Sequence, residues 1–426
     1  MVQISYSGFM NEQRIRQELL ERFTRYTAID TQSSLERADA GIQPSSDGQR
    51  TLAELLLSEL KALGIPDVSV DEHSYLLARI PPTSGSETVP PFGLCAHLDT
   101  ALDAPGNNVR AQLHEKYDGT ILDIGNGLIL DPDENPELAE CIGHTIITSD
   151  GTTLLGADNK AGIAGIMTLI SILGETGTAH GPIEVVFSPD EETGHGMDRI
   201  PIEKLKSRAF YTVDGGAEGE LETECFNAWK CEVVCTGVAA HPGTARGKMV
   251  NAVAMAASFV QSLPVRESPE TTSGYEGFFY PLEMNASCEK ATISVYVRDF
   301  DLAVMERRLD RLDCIARAVE AQFPGGTVSV TRTRQYLNMK EKLDQVPEVL
   351  EILKTAATRA GISVRMKPIR GGTDGSRLTE MGIPTPNIFT GGHNFHSRTE
   401  WASLDQMTAM VRTLVELTAS WREYHV

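Results

Sequence analysis

The run Ile183-Glu184-Val185-Val186-Phe187-Ser188 leads straight into Pro189-Asp190-Glu191-Glu192-Thr193-Gly194. A mostly apolar run this short, closed by a proline, reads as a buried strand, since a helix needs roughly ten residues or more. Similar runs occupy residues 92–97, 145–148 and 210–214, and a helical segment at residues 160–173 separates two of them. Apolar strands alternating with helices make an α/β fold with a mostly parallel sheet. Ligands of such sheets gather at the carboxyl ends of the strands. His97, Asp99, Glu191, Glu192 and Asp214 all stand at or just past a strand end.

Further out, residues 11–26 and 51–63 repeat apolar side chains at helical spacing, and the polar stretch between them, residues 31–49, reads as loop. From Trp229 the pattern changes. Strands at 230–236, 278–285, 292–298 and 327–333 alternate with helices at 249–262 and 302–322. The order β-α-β-β-α-β is that of a ferredoxin-like unit, a four-stranded antiparallel sheet with two helices on one face. Segments of the first kind flank it on both sides. The expectation is therefore a discontinuous catalytic-type domain, residues 1–226 and 339–426, with an inserted domain at residues 227–338. Helices at 347–360 and 404–421 and a strand near 386–389 return to the first domain.

A chain of 426 residues exceeds one comfortable core, which also favours two domains. The formal net charge of −21 argues against nucleic acid or an anionic membrane as partner, because both reward clustered Lys and Arg. Seven cysteines without a Cys-x-x-Cys pair suit buried thiols in a reducing compartment, and Cys231 and Cys235 share one face of a strand. No secretory signal is legible in residues 1–18, and the longest mostly apolar stretch, 161–174, is too short to span a bilayer. The expected location is cytoplasmic.

Four further sites accompany Glu191 and Glu192. They are His97-Leu98-Asp99, Gly156-Ala157-Asp158-Asn159, Val213-Asp214-Gly215-Gly216 and Asn394-Phe395-His396-Ser397. Imidazole and carboxylate without thiolate suit a catalytic metal site with open positions. Five such ligands exceed what one tetrahedral ion needs. They point to two metals sharing a carboxylate, an arrangement used to hydrolyse peptide or phosphate bonds. Taken singly each site has a plainer reading: Asp158 as a helix N-cap, Asp214 as a turn cap, Glu191-Glu192 as a solvated acidic turn. His393, three residues before His396, leaves the choice between the two open on spacing alone. His241, in a Pro/Gly loop, reads as a surface histidine, and Arg298 and Arg370 as carboxylate clamps or as members of ordinary ion pairs.

These motifs resemble the co-catalytic dizinc exopeptidases and deacylases, over nearly the whole length. The runs Gly274-Tyr275-Glu276-Gly277, Arg298-Asp299-Phe300-Asp301 and Pro368-Ile369-Arg370-Gly371-Gly372-Thr373-Asp374-Gly375 are similar to the branch that removes the N-terminal residue of tripeptides. The resemblance implies two Zn2+ per chain, one held by His97, Asp158 and Asp214 and one by Asp158, Glu192 and His396. It implies Glu191 as general base and Asp99 as the support of His97. The inserted domain becomes a lid that brings His241 to the oxyanion, with Arg298 and Arg370 holding the peptide. The implied substrates are short peptides with a free N-terminus, and a homodimer through the insert is compatible. An N-acyl amino acid deacylase or carboxypeptidase on the same scaffold is the alternative, and a non-catalytic metal-binding scaffold is the alternative of another class. Two departures stand out. Asn159 takes the place of a second Asp, next to a peptide bond that is cis in relatives. Ser397 follows His396 where Gly is commoner.

Overall fold

The structure, a computed structural model, describes residues 12–426. Asn11, expected to open the first helix, and the stretch before it lie outside the described residues. The chain begins with α1 (Glu12–Thr27) and α2 (Asp47–Ala62). The second starts four residues earlier than its apolar spacing indicates, because its first turn, Asp47-Gly48-Gln49-Arg50, is polar. Strands β1 (Asp67–Val70), β2 (Leu76–Ile80) and β3 (Phe92–His97) follow, then α3 (Ala157–Thr176), β4 (Ile183–Ser188), β5 (Phe210–Gly215) and β6 (Glu220–Cys225). Next come β7 (Asn227–Thr236), α4 (Ala252–Gln261), β8 (Phe278–Ala286), β9 (Lys290–Asp299), α5 (Leu302–Gln322) and β10 (Thr327–Tyr336). The chain ends with α6 (Pro347–Arg359), β11 (Arg365–Ile369), α7 (Asp374–Glu380), β12 (Asn387–Phe389) and α8 (Leu404–His425).

The fold is α/β. Two compact units divide it: one comprises the described residues through Thr223, Glu341–Lys367 and Thr373–Val426; the other comprises Glu224–Lys340 and Pro368–Gly372. The first unit is built on an eight-stranded sheet in the order β1-β2-β4-β3-β5-β12-β6-β11. Its centre, β4-β3-β5-β12, is parallel, and β2 and β6 join it antiparallel. Every residue of β3 and β4 is buried, which is why these strands read as continuous rather than alternating runs. Gly93 of β3 lies opposite Phe210 of β5, and a Cβ there would stand 2.2 Å from the Phe210 ring. Helix α3, apolar on all sides and buried through most of its length, is the core helix of one face; α1 and α8 pack on it. Trp421 of α8 sets its ring 5.3 Å from Phe92 and 6.2 Å from Tyr211 and donates to Pro90 O.

The run at 145–148 does form a strand, Ile146–Thr148, but in a separate antiparallel sheet ordered Gly392–His393, Trp401–Ser403, Ile146–Thr148, Gln112–His114. Only three residues long, it pairs with the segment that follows His396 and so brings that segment to the end of α3.

The second unit is the βαββαβ arrangement, with its sheet ordered β8-β9-β7-β10 and every pairing antiparallel. Cys231, Val233 and Cys235 face its two helices together with Met255, Phe259, Leu309 and Leu312. All seven cysteines of the chain are free thiols. Among the described residues no helix is long and apolar enough to cross a membrane.

Candidate metal centre

The carboxyl ends of β3, β4 and β5 supply His97, Glu192 and Asp214, and a loop near the C-terminus supplies His396; these two acids and two imidazoles surround one carboxylate, that of Asp158. His97, the last residue of β3, is almost fully buried. Its Nε2 lies 2.8 Å from Asp158 Oδ1 and 3.4 Å from Asp214 Oδ1. His396 approaches from the opposite side. Its Nε2 lies 3.0 Å from Glu192 Oε2 and 3.5 Å from Asp158 Oδ2. The two oxygens of Asp158 thus point to different histidines. Two three-residue groups result, His97-Asp158-Asp214 and Asp158-Glu192-His396. Within each, the candidate ligand atoms lie within 4.8 Å of one another.

Asp99 organises the acidic turn. Its carboxylate accepts the backbone N–H groups of Glu191 (3.0 Å) and Glu192 (3.1 Å) and the hydroxyl of Ser33, while Oδ1 stands 3.3 Å from His97 Nδ1. One fully buried residue therefore fixes both the first histidine and the turn: its backbone carbonyl lies 3.1 Å from His97 Nδ1, and its carboxylate holds the turn that carries the two glutamates. Asp190 begins that turn with φ +58°, a left-handed conformation uncommon outside glycine. It is clamped there: its carboxylate accepts from Ser45 N and Gln49 Nε2, and its own N–H donates to Gln49 Oε1 at 3.0 Å. Of the adjacent Glu191 and Glu192, only Glu192 enters a ligand group.

Asp158 is the second residue of α3 and has non-helical backbone angles; the Asp158–Asn159 peptide is cis. Gly156 caps the helix without a side chain. Glu400, buried, supplies the missing acceptors: Oε2 takes Leu155 N (2.7 Å) and Gly156 N (2.8 Å), and Oε1 takes Asp158 N (3.0 Å). Asp214 is held through its backbone, whose N–H donates to Asn387 Oδ1 at 3.1 Å. His396 sits on a loop with φ +62°, and Asp103 Oδ2 lies 3.1 Å from its Nδ1. Ser397 turns its hydroxyl to Asn394 O. His393 belongs elsewhere: it is buried, stacked on Trp401 at 3.9 Å, with Nε2 bonded to Gln406 Oε1.

The electrostatics show what the cluster lacks. Burial pushes the Glu191 carboxyl well above the usual glutamate range, against the pull of His97 and with Asp214 adding to the rise. Burial likewise raises Glu192 to about 8 and Asp214 to about 6, and Asp374, just behind, to about 7. Asp158 alone moves down, because its two histidine hydrogen bonds outweigh its burial. Burial opposes charge on the imidazoles too, yet the acids around them prevail, raising His97 well above 6.5 and His396 to about 12. Glu192 Oε1 is buried without a hydrogen-bond partner. A donor set of hard oxygens and imidazoles, over-supplied with negative charge and left with an unsatisfied buried oxygen, fits divalent cations. Four carboxylates, those of Asp158, Glu191, Glu192 and Asp214, carry the charge that two such ions balance.

The remaining expected site residues lie in the second unit. Arg298 donates to Trp229 O, Val297 O and Gln335 Oε1 and lies over the Tyr296 ring at 4.9 Å. Arg370 donates to Gly274 O, Glu276 O and Thr272 Oγ1 and lies over the rings of Phe226 and Phe278. Both guanidinium groups thus hold their own unit together. His241 is exposed, with Nδ1 accepting from Gly243 N.

The family model described as Peptidase family M20/M25/M40 matches residues 149–420. Peptidase T of Geobacillus thermodenitrificans (strain NG80-2) is 45% identical over 406 residues, covering 95% of this chain and 98% of that one. A solved tripeptidase of Staphylococcus aureus subsp. aureus Mu50 gives a TM-score of 0.76 at 22% identity, over 98% of this chain and 100% of that one. A solved aminopeptidase, PepT, of Bacillus cereus ATCC 10987 gives 0.72 at 21% identity, over 95% and 98%. At these identities the two structures speak for the fold.

Proposed function

This chain belongs to peptidase family M20/M25/M40, and we propose that within it the chain is a dizinc aminopeptidase that releases the N-terminal residue of tripeptides. It is a hydrolase of peptide bonds; the end attacked, the substrate length, the metal and the residue roles make up the proposal. The observation that carries it is the division of Asp158 between two ligand groups, with Glu191 in the same turn but outside both. His97, Asp158 and Asp214 would hold one zinc, and Asp158, Glu192 and His396 the other. When bound, such a pair supplies Lewis-acid polarisation of the scissile carbonyl and brings the pKa of a water down to about 7.

The protein's own residues do the rest. Glu191 takes a proton from the attacking water at a carboxylate oxygen. As oxygen bonds to the carbonyl carbon and the C–N bond breaks, the same oxygen hands that proton to the nitrogen of the departing dipeptide. Asp99 keeps Glu191 and His97 in register. The family resemblance assigns the second unit the part of a lid and His241 that of steadying the developing oxyanion, and we propose both roles here. Seven free thiols suit a reducing compartment, and the cytoplasm is the proposed location.

The test is turnover of a free tripeptide by metal-stripped protein before and after zinc is restored, beside its N-acetylated copy, a dipeptide and a tetrapeptide. Zinc-dependent cleavage of the free tripeptide alone is expected. Cleavage of the acetylated copy would move the chain to the deacylases.

A further inference from the structure

Helix α3 opens without a cap of its own. The first N–H groups of any helix lack partners inside it, and a serine, aspartate or similar residue at the cap usually accepts from them. Gly156 has no side chain to offer, and the backbone of Asp158 and Asn159 departs from helical angles. The N–H groups of Leu155, Gly156 and Asp158 would be left bare in the interior but for Glu400, which accepts from all three. Glu400 is four residues past His396, and its neighbour Trp401 begins the strand that pairs with Ile146–Thr148. The same residue is thus joined by chain to one candidate ligand and by hydrogen bonds to the backbone of the ligand common to both groups.

We propose that Glu400 is a positioning residue for the metal pair, locking the Asp158 segment to the His396 segment so that both ligand groups form together. This rests on the dinuclear reading above. The role differs from that of other buried carboxylates in the same unit. Glu184 also accepts two backbone N–H groups, from Lys206 (2.8 Å) and Ser207 (2.7 Å), but at the amino end of β4, away from every candidate ligand. It provides a control for the loss of a buried carboxylate: it is comparably buried and accepts backbone N–H groups, pairs in addition with Arg79 at 3.0 Å and the Ser207 hydroxyl at 2.7 Å, and has no link to the site.

The experiment measures zinc affinity by competition with a chromophoric chelator in wild type, Glu400→Gln and Glu184→Gln. Thermal unfolding of the metal-free proteins is recorded alongside. Residues behind a metal ligand typically set about 10- to 100-fold in affinity. Glu400→Gln is expected to bind both zincs at least tenfold more weakly, and its kcat for peptide cleavage, lowered at limiting zinc, to recover as zinc is raised. Glu184→Gln should lose stability while its zinc affinity stays within twofold of wild type. Wild-type affinity in Glu400→Gln would overturn the proposal, as would an equal loss in Glu184→Gln, which would make affinity a mere report on stability. If Glu400→Gln does not accumulate folded, Glu400→Asp, which keeps the charge but falls short of the three N–H groups, decides by the same readout. Failure of the dinuclear reading looks different: the wild type itself would take up fewer than two zincs.

Discussion

Two histidines face Asp158 from contrasting surroundings. His97 ends an interior strand, 2% exposed, and leans on Asp99, which is fully buried and already holds the Glu191-Glu192 turn. His396 stands on a loop in a left-handed conformation, 43% exposed, and leans on Asp103, itself 65% exposed. One half of the centre is set by the sheet; the other is delivered by a segment tied down at Asn394, Glu400 and Trp401. The difference teaches that a site with near-symmetric donors can be assembled asymmetrically, one histidine buried at the end of a strand and the other exposed on a loop.

Substitutions can break or sharpen that contrast. The largest effect belongs to Glu191, on the rigid side. Glu191→Gln should lower kcat by about 10^2- to 10^4-fold while zinc content, read by atomic absorption, stays at wild type. Robust turnover in that variant would sink the assigned role. Asp99→Ala comes next. It strands the N–H groups of Glu191 and Glu192 and the Ser33 hydroxyl, and an orphaned buried donor costs about 1–3 kcal/mol. Denaturant unfolding should show a loss of roughly 3 kcal/mol together with a fall in kcat. Asp103→Ala, on the exposed side, should cost less than about 1 kcal/mol, because pairs in solvent are worth little. A larger loss there than at Asp99 would reverse the comparison. The smallest effect at neutral pH concerns His393, whose burial lowers its pKa to about 4 from 6.5. The unfolded chain takes up a proton there at a higher pH than the folded one, so stability falls as pH drops from 6.5 towards 4. His393→Gln should flatten that part of the stability–pH curve.

Much of this is legible in the sequence. Strands β3, β4 and β5 announce themselves as apolar runs, and the acids and histidine at their ends mark the place the structure then gathers them. The insert was legible too, because its half-exposed strands alternate where the buried ones do not. The histidine nearer the C-terminus was not decided by spacing: His393 and His396 differ in what they stack on and bond to, which sequence does not display, and the family resemblance supplied the preference. Glu400 escaped altogether. Its partners are backbone N–H groups more than 240 residues earlier in the chain, and such groups leave no trace in side-chain pattern. In the sequence Asp158 offers itself as the cap of a helix from residue 160; only the structure starts that helix at Ala157, after a glycine that cannot cap it. The roles of Arg298 and Arg370 were hidden likewise, because a clamp on substrate and a brace on carbonyl oxygens use the same guanidinium fork.

The insert's first and last strands, β7 and β10, are neighbours in one sheet, with Ala228 across from Tyr336. The chain therefore enters and leaves this segment through a single doorway. For protein engineering that makes it a cassette: a short turn can rejoin the flanking residues when it is cut out, and the excised piece carries its own core of Trp229, Phe259, Val295 and Leu312. A gene assembled either way would let each of the two units be studied by itself.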